Sequence, residues 1–188
     1  GSSLVGSEMC IRDSVITAFP GAMSSAIAGV ADLLVSSGVL WNVIQGEPHE
    51  RYFSVRIASE DGNPVRCVNG IEISAHMSFA DIDHTDILIV PTIAVHINDV
   101  LKKEQALTEL LRKADKKGWT ICGNCTGNFL LAESGVLDGR KATTHWGYRD
   151  FFAERYPGVE LAADQLITRD GDISVSYTHL RAHETRTY

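Results

Sequence analysis

The chain has 188 residues, with 17 Lys and Arg against 24 Asp and Glu for a formal net charge of −7, 44% hydrophobic residues and 22% charged ones. That make-up suits one globular domain with a real core and is too short for two large domains. No apolar run approaches the roughly 18 residues of a membrane span, no basic-then-apolar leader opens the chain, and a pI near 5.4 argues against direct binding of nucleic acid by this segment, so a cytoplasmic protein is expected.

In chain order, the N-terminal stretch reads together with the C-terminal one. Glu8-Met9-Cys10-Ile11-Arg12-Asp13-Ser14 back-translates as GAG-ATG-TGT-ATA-AGA-GAC-AG, and Ser174-Val175-Ser176-Tyr177-Thr178-His179-Leu180 as CT-GTC-TCT-TAT-ACA-CAT-CT. The two strings are reverse complements, which resembles a transposon-library adapter translated at both edges of a short metagenomic fragment. Residues 1–14 and 174–188 are therefore expected to be adapter-derived tails, and Cys10, His179 and His183 are set aside from functional reasoning. The domain proper is expected over 15–173.

Val15 to Phe19 is a short β-branched run stopped by Pro20-Gly21, which suits a buried strand entering a turn. Ser24 or Ser25 can then cap a helix carrying Ala28, Ala31, Leu34 and Val35, with Gly38 placed to end it. Phe53 to Ser59 alternates as a strand, and Val65 to Ser74 reads as a small hairpin about the Asn69-Gly70 turn. Asp86 to Pro91 is a continuous apolar run, as expected of a parallel strand covered on both faces. Asn98 or Asp99 can cap a helix with Val100, Leu101, Leu107, Leu110 and Leu111 that ends in Lys113, Lys116, Lys117 and Gly118. Trp119 to Gly123 is the next strand and runs directly into an apolar helix, Phe129 to Glu133. Trp146 to Tyr156 is amphipathic, and Leu166 to Gly171 starts a further hairpin. Strands and helices alternating in this way predict an α/β doubly wound fold with a mostly parallel sheet.

The chemistry concentrates at Gly123-Asn124-Cys125-Thr126-Gly127, where one cysteine stands between two glycines as a strand becomes a helix, the layout of a nucleophile elbow. The glycines permit a strained turn and close approach, while the helix N-terminus offers N–H groups and positive partial charge beside the sulfur. Both effects favour thiolate, and the N–H of Thr126 is positioned to stabilise an oxyanion. A small buried hydrophobe suits the same position, so spacing alone leaves both roles open for Cys125; Cys122 fits packing better, since it lies inside the strand. Asp81, Asp83, His84 and Asp86 read as a solvated loop, His49, His76 and His96 are isolated, and no phosphate loop or dinucleotide fingerprint is present, so neither metal nor cofactor is expected.

The stretch from Cys125-Thr126-Gly127 through Leu131-Ala132, Gly135, Leu137, Gly139 and Ala142-Thr143-Thr144-His145-Trp146 resembles the C-T-G-x-x-x-L-A-x-x-G-x-L-x-G-x-x-A-T-T-H-W segment of the DJ/PfpI superfamily, the class I glutamine-amidotransferase-like group. Tyr148, Phe152, Tyr156-Pro157 and Leu166 to Gly171 are similar to the N-terminal domain of its amidase-like AraC-family transcription regulators. The resemblance implies a flavodoxin-like doubly wound sandwich, usually dimeric, truncated here before its last strand and helix. It implies Cys125 and His145 as the catalytic pair, with His145 able to take a proton from the thiol or merely to cap the following helix. Asn124, Thr126, Gly127, Thr92 and Ile93 would line a ligand site.

Two departures from the pattern weigh on the activity. Ala26 stands where catalytic relatives carry an acid, and Thr92-Ile93 replaces a Gly-Gly turn. The resemblance therefore implies a small-molecule-sensing regulator domain rather than an enzyme, acting as a homodimer and reaching DNA only through a helix-turn-helix part that this chain lacks. The alternatives are a stand-alone cysteine enzyme such as an isonitrile hydratase, amidase or deglycase, with Cys125 attacking carbon, and a thiol-based sensor.

Overall fold

The computed structural model describes residues 11–176. Its chain order is β1 (Arg12–Thr17), α1 (Ser24–Ser36), α2 (Leu40–Gln45), β2 (Phe53–Ser59), the short strands β3 (Val65–Arg66), β4 (Glu72–Ile73) and β5 (Met77–Ser78), then β6 (Ile87–Val90), α3 (Ile97–Lys103), α4 (Gln105–Lys116), β7 (Thr120–Asn124), α5 (Asn128–Glu133), β8 (Lys141–Ala142), α6 (Arg149–Arg155), β9 (Glu160–Leu161), β10 (Ile167–Asp170) and β11 (Ile173–Ser176). Seven strands form one sheet in the order β10-β11-β7-β6-β1-β2-β5, parallel throughout except for the β10–β11 hairpin. This is the expected doubly wound α/β arrangement.

The strand order reverses between β1 and β6. The chain winds from β1 to β2 in one direction and from β6 to β7 in the other, and right-handed crossovers then place the helices on opposite faces. On one face Leu88, Val90, Ile121, Ile173 and Val175 are all buried beneath the layer that holds α4 and α5. On the other, α1 covers β1 and β2, with Ile16 fully buried, while Ile87, Cys122 and Ser174 remain half-buried. The outer helix α6 is held against α5 by Phe152 packed edge-on to Phe129 at 4.9 Å and by a small polar knot, in which Tyr156 donates to Glu133 at 2.6 Å and Arg155 pairs with the same carboxylate at 3.0 Å.

Several local expectations are corrected by tertiary contacts. Met23, not Ser24 or Ser25, occupies the N-cap of α1, and it makes no side-chain cap; Ser24 is already helical and its hydroxyl accepts from the Asn69 side chain at 2.8 Å. The single helix expected after Pro91 is two, because Glu104 leaves helical geometry with ψ of 46°. Its N-cap is His96 in the left-handed region, φ 56°, rather than Asn98 or Asp99. Trp146–Tyr148 forms a 3-10 turn, so the regular helix in that stretch starts only at Arg149.

Both expected tail boundaries fall inside strands. Arg12, Asp13 and Ser14 pair with Phe53, Ser54 and Val55, and Ser174, Val175 and Ser176 pair with β7 and β10, completing the hairpin begun at Ile167. Cys10, His179 and His183 lie outside the described residues. Among the described residues no helix is long and apolar enough to cross a membrane.

Candidate functional site

Open α/β sheets bind ligands at the carboxyl ends of their strands, beside the point where the strand order reverses. Here the loops leaving β1, β6 and β7 meet at that point. The loop after β7 is the elbow: Cys125 has φ of 54°, a region that L-residues rarely occupy, and Cys125–Gly127 makes a 3-10 turn before α5 begins. Such strain persists only where the surroundings over-determine it.

Those surroundings are visible bond by bond. Gly127 lies so close to the chain leaving β6 that an added Cβ would stand 2.4 Å from the Pro91 carbonyl oxygen. Close approach is therefore the structural reason for this glycine. The Thr126 hydroxyl donates to the Ile93 carbonyl, and the Thr92 hydroxyl donates to the Asn124 carbonyl at 3.3 Å. The Thr92-Ile93 segment is tied equally to the turn after β1, with the Met23 N–H donating to the Thr92 carbonyl at 3.0 Å and the Ala94 N–H to the Gly21 carbonyl at 3.0 Å around an Ala22–Ile93 bridge. The structure thus brings Asn124, Cys125, Thr126, Gly127, Thr92 and Ile93 into one cluster. Cys125, Thr126, Gly127, Thr92 and Ile93 are buried and Asn124 is half-buried.

Ala26, 1% exposed, lies in the first turn of α1, where its N–H donates to the Met23 carbonyl at 3.0 Å. A carboxylate is absent from that position, and the cluster contains none. The sequence reading missed the contribution of the β3–β4 hairpin: Asn69 reaches Ser24, and the Val68 N–H donates to the Ala22 carbonyl at 3.2 Å. The Asn-Gly turn was legible locally, but its landing place on α1 spans 45 residues of sequence and leaves no local signal.

His145 sits at the head of the Trp146–Tyr148 turn. Its Nδ1 accepts from the Gly147 N–H at 3.1 Å, its ring stacks on Trp146 at 5.3 Å and it meets Tyr148 edge-on at 6.0 Å. Accepting at Nδ1 requires that nitrogen to be unprotonated, so the neutral ring carries its proton on Nε2. The capping role is therefore present, whatever further role the ring has. Asn128, in the first turn of α5, ties this segment to the elbow by donating to the Thr143 carbonyl at 2.8 Å and the Ser176 carbonyl at 2.9 Å. Sequence reasoning did not single out Asn128, whose conspicuous feature is a polar side chain within an otherwise apolar helix.

Cys67 and Cys122 sit in surroundings that favour the protonated thiol. Burial pushes the Cys67 thiol up, and burial does the same at Cys122, partly opposed by Arg169. None of Cys67, Cys122 and Cys125 is disulfide-linked. Among the described residues no cluster of three His, Cys, Asp or Glu side chains is arranged for a metal ion.

Comparison with known proteins agrees with this geometry. Residues 26–181 match the model of the DJ-1/PfpI family. The chain is 34% identical over 123 residues to the HTH-type transcriptional regulator CdhR of Pseudomonas aeruginosa, covering 65% of this chain and 35% of the regulator. It is 29% identical over 119 residues to the isonitrile hydratase of Pseudomonas putida, covering 63% of this chain and 50% of that protein. The fold matches that of an AraC family transcriptional regulator from Pseudomonas putida with a TM-score of 0.66 at 22% identity, over 90% of this chain and 84% of that one. The chain spans about a third of the regulator's length and half of the hydratase's. It belongs to the DJ-1/PfpI family.

Proposed function

We propose that this DJ-1/PfpI domain is the ligand-sensing part of an AraC-type transcription regulator. A small molecule binds beside Cys125, the domain acts as a cytoplasmic homodimer, and DNA is reached through a helix-turn-helix segment outside this chain. The observation that carries the reading is Ala26: the elbow and its laced loops are intact, yet the first turn of α1 presents a methyl group where catalysis in the superfamily uses an acid. A site that keeps its architecture and lacks its proton-handling carboxylate is suited to binding rather than turnover. Similarity to the regulator CdhR supports the same reading.

The test is the source locus. An open frame running on for about a hundred residues or more, with two helix-turn-helix patterns whose second helices are basic, is the expected result. A stop codon in the source frame soon after one closing strand and helix past Ile173 would overturn it.

A second reading rests on the strained Cys125 itself, with φ of 54°. In it the thiolate attacks an electrophilic carbon as in a stand-alone hydratase, and His145 moves the proton. That reading expects turnover of an isonitrile that Cys125→Ser abolishes. Turnover that survives Cys125→Ser would place the activity elsewhere, and no turnover in the parent chain would leave the sensing domain as the function.

A further inference from the structure

Helix α5 starts at the elbow and ends at a cavity. Its six residues rise about 9 Å, and beyond Glu133 a cleft of about 900 Å³ opens between the ends of α5 and α6 and the side of α4. That volume lies within the roughly 300–1,000 Å³ usual for small-molecule sites. Gly135, Gly139 and Tyr156-Pro157, positions of the family pattern that the elbow does not use, line it.

One wall is already paired. Glu133 accepts from the Tyr156 hydroxyl at 2.6 Å and pairs with Arg155 at 3.0 Å. Burial, together with that carboxylate, pushes the Tyr156 phenol up, so it stays a donor. These three side chains hold one another and present no net charge to the cleft. Two further charges border it and are not spent. The Arg112 Nε donates to the Ser134 carbonyl at 3.0 Å, which fixes the guanidinium and leaves its two terminal nitrogens without a partner among the described residues. The Asp138 carboxylate accepts no hydrogen bond and enters no ion pair among the described residues. It stands between two glycines: a Cβ added at Gly158 would lie 3.4 Å from one of its oxygens, and a Cβ added at Gly135 would lie 3.7 Å from the other.

We infer that this cavity is a second binding site, for a small zwitterion of the amino-acid type whose carboxylate meets Arg112 and whose ammonium meets Asp138. The paired terminal nitrogens of a guanidinium match the two oxygens of a carboxylate in parallel, and a carboxylate flanked by glycines is open to an ammonium group. Charge excludes the simpler ligands. Arg112 and Arg155 balance Glu133 and Asp138, so a plain anion is opposed by Asp138 and a plain cation by Arg112. A ligand carrying both charges satisfies both groups. The site goes beyond the sensing role proposed for the elbow, since it lies a helix length away and uses no residue of the Cys125 cluster.

The experiment is heteronuclear NMR on the isotope-labelled 188-residue chain, titrated with each of the standard L-amino acids into the millimolar range. At least one is expected to give saturable shifts at the amides of Ser134, Gly135, Asp138, Gly139 and Gly158. Its analogues lacking only the ammonium or only the carboxylate are expected to bind at least about tenfold more weakly, and so is the amino acid itself to Arg112→Gln and to Asp138→Asn. Both substitutions are at exposed positions, so circular dichroism melts are expected to stay those of the parent chain, and each variant stands as a separate test. Absence of saturable shifts with every amino acid would overturn the site. So would shifts confined to residues 123–127, equal binding of the analogue without the ammonium, or affinity unchanged in both variants. None of these outcomes bears on whether the elbow senses a ligand.

Discussion

The helices α1 and α4 have nearly the same length, 13 and 12 residues, and opposite relations to the core. Helix α4 buries Leu107, Thr108, Leu110, Leu111 and Ala114 along its length, because it lies between β7 and α5. Helix α1 buries only Ser24, Ala26 and Ile27, all in its first turn, where the Thr92-Ile93 segment and Asn69 meet the chain. Apolar content does not separate the two, since Leu33 and Val35 on α1 are as hydrophobic as anything on α4. What separates them is whether a neighbouring layer is present. Among the described residues one side of the sheet is covered along the whole of α4, whereas on the other side only the first turn of α1 is fully enclosed and its Val30, Ala31 and Leu34 stay half-buried against the core.

The sharpest way to break this comparison is to remove one leucine from each helix. Leu111→Ala, at a fully buried position, is expected to cost about 2–5 kcal/mol in urea unfolding, while Leu33→Ala is expected to change the monomer by less than about 0.5 kcal/mol. Equal losses would mean that the two layers are packed alike.

A pair of glycines carries the contrast into the site. Gly127→Ala is expected to destabilise by about 1–3 kcal/mol or more, because its methyl would collide with the Pro91 carbonyl oxygen. Gly29→Ala, in α1 with nothing within 4 Å of the added atom, is expected to stabilise by about 0.5–1 kcal/mol through helix propensity. Opposite signs in parallel melts sharpen the contrast; the same sign at both positions would dissolve it.

The last contrast depends on pH. Glu104, 5% exposed at the break between α3 and α4, has its carboxyl pushed up from 4.5 to about 7, chiefly by burial, with Glu60 repelling its charged form and Lys103 partly relieving it. A carboxyl whose proton is held more tightly in the folded state stabilises most below about pH 4.5, and that contribution is lost as pH rises through about 7. Glu104→Gln removes the charge, so it is expected to gain on the order of 1–2 kcal/mol over the parent chain at pH 8 and to match it near pH 4. A difference independent of pH would show that packing, not ionisation, governs this corner of the finished layer.

Much of the fold was legible because it is written in short-range chemistry. Val15 to Phe19, Asp86 to Pro91 and Trp119 to Gly123 read as buried strands from their apolar runs, and the Asn69-Gly70 hairpin from its turn residues. The elbow was legible at Gly123 to Gly127 for the same reason: two glycines around a cysteine, at a strand-to-helix junction, are a local pattern. Its surroundings were not. The Ser24–Asn69 bond, the Thr126–Ile93 bond and the Asn128 contacts with Thr143 and Ser176 join positions 15 to 48 residues apart, and each exists only once the sheet has brought its strands together.

By itself the sequence determined which segments become the central strands β1, β2, β6 and β7 and which cysteine stands at the elbow, since backbone preference and hydrophobic period act within a few residues; the short strands β5, β8 and β9 left no such signal. Only the tertiary structure decided the rest. It broke the helix at Glu104, gave the cap of α3 to His96 in a left-handed conformation, turned Ser24 from a cap into a hydrogen-bond partner for Asn69, and left the hydrophobic residues of α2 in water. Those outcomes depend on which surfaces meet across the folded sheet, and on one surface that meets nothing within the described chain.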